Sequence, residues 1–114
     1  MAPIVASPGN RPRPAVSVHL RIRVEPGRKD DLRLFLREAI PFYESPGGIH
    51  VRLLGDTSAS DRFIEVIDYA SEHAYLADEE RVKSDATMAE YLARWRAILA
   101  EPPTVETYRD IDTT

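Results

Sequence analysis

Hydrophobic and polar residues alternate along four stretches of the chain, with the period of two that is typical of strands with one buried face. In the first stretch, residues 16–24, the polar positions are Ser17, His19, Arg21 and Arg23. The stretches "IHVRLLGD" and "RFIEVIDYA" follow, and the short connection between them predicts an antiparallel hairpin. A fourth strand is predicted in "TVETYRDI". The first two strands therefore have one apolar face and one basic face.

The segment "PGRKDDLRLFLREAI" changes to a period of 3.6 residues, which predicts an amphipathic helix. Pro41 disfavours helical geometry at Ile40, so the helix is predicted to end or to kink there. The glycines of "ESPGG" permit positive φ in a turn before the second strand. The apolar stripe of the helix consists of Leu32, Phe35, Leu36, Ala39 and Tyr43.

A second helical region follows the third strand, and Ser71 is a suitable N-cap for it. The segment "KSDAT" predicts a break, after which Ser84 or Asp85 caps a new start. Trp95, the only tryptophan of the chain, lies on the apolar stripe of this last helical segment. An aromatic residue in that position usually belongs to the core. The wall of a core can also line a cavity, so both interpretations of Trp95 stay open.

The order of elements is β-α-β-β-α-β. Right-handed crossovers and a hairpin between strands two and three favour the sheet order 4-1-3-2. The predicted fold class is α+β, a ferredoxin-like βαββαβ domain with a four-stranded antiparallel sheet. Both helical regions then cover one face of the sheet. The other face has no helix and carries His19, Arg21, Arg23, His50 and Arg52.

Length and composition limit the remaining possibilities. The 114 residues predict a proline-rich extended arm at residues 1–14, where Ile4 and Val5 could dock on a neighbouring subunit, and a single domain at residues 15–114. The net charge of -4 argues against a nucleic-acid partner, and "RFIEVIDY" lacks the glycines of an RNA-recognition strand. The absence of cysteine excludes disulfides and thiolate chemistry. Without an apolar run of membrane-spanning length or a secretory signal, we expect no membrane association and a cytoplasmic location.

Five segments carry a family resemblance, over roughly residues 16 to 111. These segments are "VEPG", "DDLRLFL", "SPGGIHVRLL", "RFIEVIDYASEHAY" and "PPTVETYRDI". Together they resemble the antibiotic biosynthesis monooxygenase superfamily. The resemblance implies a dimeric α+β barrel, in which the sheets of two subunits face each other. The expected partner is therefore a second copy of the chain, which would bury the face that has no helix.

The resemblance also bears on activity. Several members of the superfamily oxidise aromatic polyketides or quinones without a metal or an organic cofactor, and related members degrade haem. The haem-degrading branch uses an asparagine, a tryptophan and a histidine together. Here the only asparagine, Asn10, precedes the first strand and Trp95 lies in the last helix, so that triad is not carried over. The resemblance implies cofactor-independent oxidation of a small aromatic or quinone-like compound. The open alternative is a non-catalytic homodimer that binds a small hydrophobic ligand or serves as an assembly module.

No catalytic residue can be assigned from the sequence, but two groups of side chains are candidates for a site. Oxygen chemistry on a phenol needs an apolar slot, a base and donors for the developing oxyanion. The candidates for lining a slot between sheet and helices are Tyr43, Tyr69, Tyr75, Tyr91 and Trp95. The candidates for a polar or dimer-forming face are His19, Arg21, His50, Arg52 and Glu65.

The two strand histidines are candidates for a base or for metal ligands. The predicted sheet order puts a strand between His19 and His50, so their backbones lie about 9 to 10 Å apart. No carboxylate completes a ligand set with them, and we predict no metal site. Either histidine could act as a base only if it turned toward the slot, whereas strand alternation points both to the opposite face. The simplest interpretation of the strand charges is a ladder of opposite charges between two sheets that sets the register of a dimer, and the open alternative is an anion-binding site.

Overall fold

The computed structural model describes residues 13–114, so the predicted arm, with Ile4 and Val5, lies outside the described residues except for Arg13 and Pro14. Its strands pair in the order β2-β3-β1-β4, all antiparallel, which confirms the predicted ferredoxin-like α+β topology. No helix within residues 13–114 has the length and apolarity needed to cross a membrane. The elements are β1 (Val16–Arg23), α1 (Lys29–Glu44), β2 (Ile49–Gly55), β3 (Arg62–Tyr69), α2 (Glu72–Ser84), α3 (Ala86–Arg96) and β4 (Thr104–Arg109).

The predicted break in the second helical region is confirmed, because α2 and α3 are separate helices with separate caps. The Ser71 hydroxyl accepts a hydrogen bond from the backbone N–H of Ala74 at 3.0 Å and caps α2. The Asp85 carboxylate accepts one from the backbone N–H of Met88 at 2.8 Å, so Asp85 caps α3. Each cap satisfies a backbone donor that the first turn of its helix leaves free.

The first helix continues through Pro41 to Glu44. Of the two predicted alternatives, an end or a kink at Ile40, the end is therefore wrong. Tertiary contacts hold this last turn in place. Arg81 on α2 donates hydrogen bonds to the carbonyl oxygens of Phe42 and Tyr43, at 3.0 and 2.6 Å. The Glu44 carboxylate accepts one from the backbone N–H of Val51 at 2.8 Å. These bonds outweigh the local preference against helix before a proline.

The pairing register gives the sheet two distinct faces. In β1 and β3, Val16 lies opposite Tyr69, Leu20 opposite Glu65 and Ile22 opposite Phe63. Since directly opposed residues point to the same side, these residues share one face, which packs against the helices. We call it the covered face; it consists of Val16, Val18, Leu20, Ile22, Ile49, Val51, Leu53, Gly55, Phe63, Glu65, Ile67, Tyr69, Val105, Thr107 and Arg109.

The other side of the sheet has no helix within the described residues, and we call it the open face. It includes the predicted basic residues of β1 and β2. It also contains apolar residues of β3 that the sequence pattern did not assign to it. Its members are Ser17, His19, Arg21, Arg23, His50, Arg52, Leu54, Arg62, Ile64, Val66, Asp68, Thr104, Glu106 and Tyr108.

Candidate functional site

A cavity of about 300 Å³ lies between the covered face and the helices α2 and α3. Its buried end is formed by Val51, Glu65, Met88 and Trp95, and its exposed end by side chains of α2, α3 and β4. The walls are largely aliphatic and aromatic. This volume is at the lower end of the range of about 300 to 1,000 Å³ that ligand pockets occupy. The site therefore suits a small, mostly apolar molecule.

Four of the five aromatic residues that the sequence suggested for a slot line this cavity, namely Tyr43, Tyr69, Tyr75 and Trp95. Tyr91 does not. Its ring stacks on Phe42 with 5.1 Å between the ring centroids, so it packs toward α1. Trp95 is 4% exposed and belongs to the hydrophobic core as well as to the cavity wall, so both interpretations of this residue hold together.

Glu65 was grouped with the polar face in the sequence, and the structure corrects this assignment. Its backbone lies opposite Leu20 and Leu53, so the side chain points to the covered face and into the cavity. The physical reason is the period of two, because Glu65 is four residues before Tyr69 and must share its side of the strand. Since Tyr69 was already a candidate for the slot, this spacing was a usable signal for Glu65.

Glu65 is 3% exposed and is surrounded mainly by apolar side chains. Burial raises the pKa of its carboxyl to about 7, against a smaller opposing effect of the nearby indole N–H of Trp95. Within residues 13–114, neither Glu65 Oε1 nor Trp95 Nε1 has a hydrogen-bond partner. Two unpartnered polar atoms thus lie together at the buried end of an apolar cavity.

A second acid, Asp78 on α2, also reaches the cavity, but hydrogen bonds occupy both of its oxygens. The Tyr69 hydroxyl donates to Oδ2 at 2.6 Å, and Arg81 Nε donates to Oδ1 at 3.0 Å. Because Arg81 also binds the last turn of α1, this network joins β3, α2 and α1. Asp78 therefore has a structural role that accounts for its burial. No pattern in the sequence points to Asp78, since α2 has only a weak apolar stripe.

The two buried tyrosines of the cavity remain protonated. Burial raises the pKa of Tyr43, and the neighbouring Glu65 raises it further. Burial, followed by the hydrogen bond to Asp78, raises the pKa of Tyr69. Both hydroxyls can donate hydrogen bonds but do not act as bases near neutral pH. Among the buried groups of the cavity, Glu65 is therefore the candidate base.

The four other candidates for the polar face, His19, Arg21, His50 and Arg52, lie on the open face. The ring of His19 lies against Tyr108, with centroids 5.1 Å apart, and His50 Nδ1 lies 3.4 Å from a Glu44 oxygen. Neither histidine lines the cavity. In the part of the chain that the structure describes, no three potential metal ligands among His, Asp and Glu lie close enough to hold an ion. These residues do not assemble into a site within one chain.

Two polar pairs connect neighbouring strands on the open face. Arg21 Nε donates to Glu106 Oε1 at 2.9 Å, and the Ser17 hydroxyl donates to Asp68 Oδ1 at 2.7 Å. These are the cross-strand contacts expected of a charge ladder within one sheet.

Comparison with known proteins gives structural matches only. No family model and no curated protein matches the sequence. Among solved structures, a candidate antibiotic biosynthesis monooxygenase from Bordetella bronchiseptica is similar with a TM-score of 0.71 and 25% identity, over 87% of this chain and 99% of that chain. SnoaB from Streptomyces nogalater, a cofactor-independent oxygenase, has a TM-score of 0.70 and 11% identity, over 86% of this chain and 94% of that chain.

A conserved protein from Methanosarcina mazei reaches a TM-score of 0.72 at 13% identity, over 86% of this chain and 94% of that chain. The three matches each cover most of this chain, as do the sequence segments that carry the family resemblance. The resemblance is therefore confirmed, and the chain has the fold of the antibiotic biosynthesis monooxygenase-like superfamily.

Proposed function

We propose that this protein is a cofactor-independent oxygenase that oxidises a small aromatic or quinone-like compound in the cavity beside Glu65. The observation that carries the proposal is a buried carboxyl at the end of an apolar cavity, with a pKa near the working pH. A general base is most effective when its pKa lies close to that pH. The likeness in fold to SnoaB, a cofactor-independent oxygenase, supports the reaction class.

In the proposed reaction the Glu65 carboxylate accepts the proton of an aromatic hydroxyl, and the resulting anion reduces dioxygen. For 1-naphthol, one molecule of substrate and one of dioxygen give one naphthoquinone and one water. The ring carbon opposite the hydroxyl loses its hydrogen and gains one oxygen atom as a carbonyl. The hydroxyl becomes the second carbonyl, and both hydrogens leave with the other oxygen atom as water. The substrate thus supplies all four electrons, and no external reductant is needed.

Oxygen uptake with 1-naphthol tests this proposal. We expect the purified protein to consume oxygen and form quinone, and Glu65→Gln to lower the rate roughly a hundredfold or more through loss of the base. The matched control is Glu90→Gln, the same change at an exposed position of α3 outside the cavity, which should leave the rate unchanged. Equal rates in the protein and in Glu65→Gln would rule out Glu65 as the base.

We also propose that a second copy of the chain covers the open face, and that the protein works as a cytoplasmic homodimer. The face combines buried Val66 with partly exposed Leu54 and Tyr108, and it carries charges of both signs. A patch of this composition can be complementary to itself, as a two-fold interface requires.

Native mass spectrometry tests the dimer. We expect a dimer for the unaltered chain and a monomer for Leu54→Glu, which places a charge on the open face. Leu34→Glu is the control, because Leu34 is exposed on α1 and away from the sheet. A monomeric unaltered protein would contradict the barrel arrangement.

The second candidate function is a non-catalytic dimer that binds a small hydrophobic ligand or serves as an assembly module. Two observations favour it: no histidine lines the cavity, and hydrogen bonds already occupy both oxygens of the buried acid Asp78. Binding of 1-naphthol without any oxygen uptake would support this function over the oxygenase.

A further inference from the structure

The buried end of the cavity has an unmet requirement for hydrogen bonds. Glu65 Oε1 and Trp95 Nε1 lack partners within residues 13–114, and both side chains are almost completely buried. A buried polar atom without a partner destabilises the folded protein, and most such atoms in native proteins are paired. Both atoms belong to residues that line the same cavity. A ligand that supplies both bonds would therefore gain affinity and specificity at this point.

The chemistry of the two atoms restricts what such a ligand can offer. An ionised carboxylate only accepts hydrogen bonds, and an indole N–H only donates. The ligand must therefore present a donor to Glu65 and an acceptor to Trp95. A hydroxyl does both through a single oxygen atom. An ether oxygen accepts but cannot donate, and a ligand carboxylate would bring a second negative charge against Glu65.

The surroundings of this pair favour a neutral, aromatic ligand. Aliphatic and aromatic side chains form most of the wall, including Val51, Met88 and the ring of Tyr43. The cations that line the cavity, Lys83 and Arg96, belong to its exposed end, so they do not balance an anion beside Glu65. Asp78 offers no competing acceptor, because Tyr69 and Arg81 already bind it.

We propose that Glu65 and Trp95 together recognise an aromatic hydroxyl, which donates to the carboxylate and accepts from the indole N–H. The pair thereby selects phenols and naphthols against the corresponding ethers and carboxylates. This inference rests on the proposed ligand site, but it does not require that the ligand be oxidised. It gives Trp95 a binding role in addition to its place in the core.

Binding under anaerobic conditions tests the selectivity without turnover. Isothermal titration calorimetry compares 1-naphthol with 1-methoxynaphthalene and 1-naphthoate, at a pH about one unit above the Glu65 pKa of about 7. We expect the methyl ether and the carboxylate to bind roughly tenfold to a hundredfold more weakly than the naphthol, as for a lost hydrogen bond to a charged group. Equal affinities of naphthol and ether, or binding of neither, would overturn the inference.

Two variants locate the effect. Glu65→Leu should abolish the preference for naphthol over its ether. Glu90→Leu should keep it, because Glu90 is exposed on α3 and does not line the cavity. Thermal unfolding of both variants checks that each is folded, and the comparison of ligands on the unaltered protein does not depend on them. A preference that survives in Glu65→Leu would also overturn the inference.

A direct readout of the indole comes from nuclear magnetic resonance. Because Trp95 is the only tryptophan, the spectrum of ¹⁵N-labelled protein contains a single indole N–H signal from it. We expect 1-naphthol to shift this signal in the direction of a stronger hydrogen bond. An unchanged signal at saturating naphthol would contradict the role of Trp95. Selective binding without oxygen uptake would refute the proposed oxygenase alone, whereas oxygen uptake without selectivity would refute this inference alone.

Discussion

The two faces of the sheet treat polar groups in opposite ways, although they alternate along the same four strands. On the open face the charged side chains reach solvent, and some of them pair across the strands, as Arg21 does with Glu106. On the β3 part of the covered face the polar groups are buried, so their hydrogen-bond partners must come from within the protein or from a ligand. The Tyr69 hydroxyl has its partner in Asp78, whereas Glu65 Oε1 has none in the described chain. The unpaired acid is therefore the exception on its face, and this contrast directs attention to Glu65.

The largest effect should come from comparing equivalent isoleucines on the two faces. Ile22 is buried on the covered face, and Ile64 is partly buried on the open face of the neighbouring strand. Ile22→Ala should lower the free energy of unfolding by about 2–5 kcal/mol, because it leaves a cavity in the core. Ile64→Ala should lower it by about 1 kcal/mol. Urea denaturation followed by circular dichroism measures both.

The same pair of variants is sensitive to what covers the open face. If a second copy packs there, the loss in Ile64→Ala should increase with protein concentration, whereas the loss in Ile22→Ala should not. Equal losses at every concentration would mean that Ile22 and Ile64 are equally buried in the monomer. That result would contradict the structure, in which Ile22 is buried and Ile64 is only partly buried.

A second prediction concerns the pH dependence that Glu65 gives to stability. Burial raises the pKa of its carboxyl from 4.5 to about 7 in the folded chain, so between these values the folded state holds a proton that the unfolded state has lost. The contribution of Glu65 to stability is therefore fully present below pH 4.5 and is lost as the pH rises toward 7. At about 1.4 kcal/mol for each pKa unit, the loss is about 3 kcal/mol.

Glu65→Gln removes this titration while keeping the size of the side chain. The difference in free energy of unfolding between Glu65→Gln and the unaltered protein should grow from pH 4.5 to pH 7 in favour of the variant, and should then level off. The matched variant Glu106→Gln should show no such rise in this interval. A difference that stays constant from pH 4.5 to pH 7 would mean that Glu65 is not in an apolar environment.

Most of the fold follows from the sequence, because its strong signals are local. The period of two, the hairpin and the caps predict the sheet order and the break at Asp85. Pro41 shows where a local rule fails, since hydrogen bonds from Arg81 on a distant helix hold the last turn of α1 together. Such contacts depend on the completed fold and cannot be derived from the spacing of neighbouring residues.

The site is less predictable than the fold, for reasons that particular residues illustrate. Strand β3 has apolar residues on both faces, so its pattern does not say which face is buried. The charge of Glu65 suggests the polar face, whereas its spacing from Tyr69 places it on the covered face. Tyr91 and Trp95 share a helical stripe, but the stripe does not reveal which of them meets α1 and which meets the cavity. Strand pairing decides which face Glu65 shares, and the packing of α3 against α1 and the sheet decides where Tyr91 and Trp95 point.

A third prediction compares two hydroxyls that each donate to an aspartate. Tyr69 binds Asp78 on the covered side at 2.6 Å, and Ser17 binds Asp68 on the open face at 2.7 Å. Tyr69→Phe leaves a buried carboxylate oxygen without its donor and should lower the free energy of unfolding by about 1–3 kcal/mol. Ser17→Ala should lower it by less than about 1 kcal/mol, because water can replace the donor. Denaturant titrations of both variants at one pH measure the two losses. A larger loss in Ser17→Ala than in Tyr69→Phe would contradict the burial of Asp78.

The smallest effect is expected for the ion pair between Arg21 and Glu106. Arg21 is exposed and Glu106 is partly exposed, so solvent and salt screen their attraction, and Arg21→Gln should leave the midpoint of urea denaturation unchanged within error. The hydrogen bond from Arg21 lowers the pKa of Glu106, so any contribution of the pair is present above pH 4.5 and is lost as the pH falls below it.

This weak pair becomes informative if a second copy covers the open face, because burial would remove the screening. A charge left without its partner in an interface is strongly destabilising. Arg21→Gln should then weaken the dimer while leaving the unfolding of the monomer unchanged, and the dissociation constant from analytical ultracentrifugation measures this difference. If both the monomer and the dimer are indifferent to Arg21→Gln, the ion pair remains exposed in the assembly, and the interface must lie nearer the apolar centre around Val66.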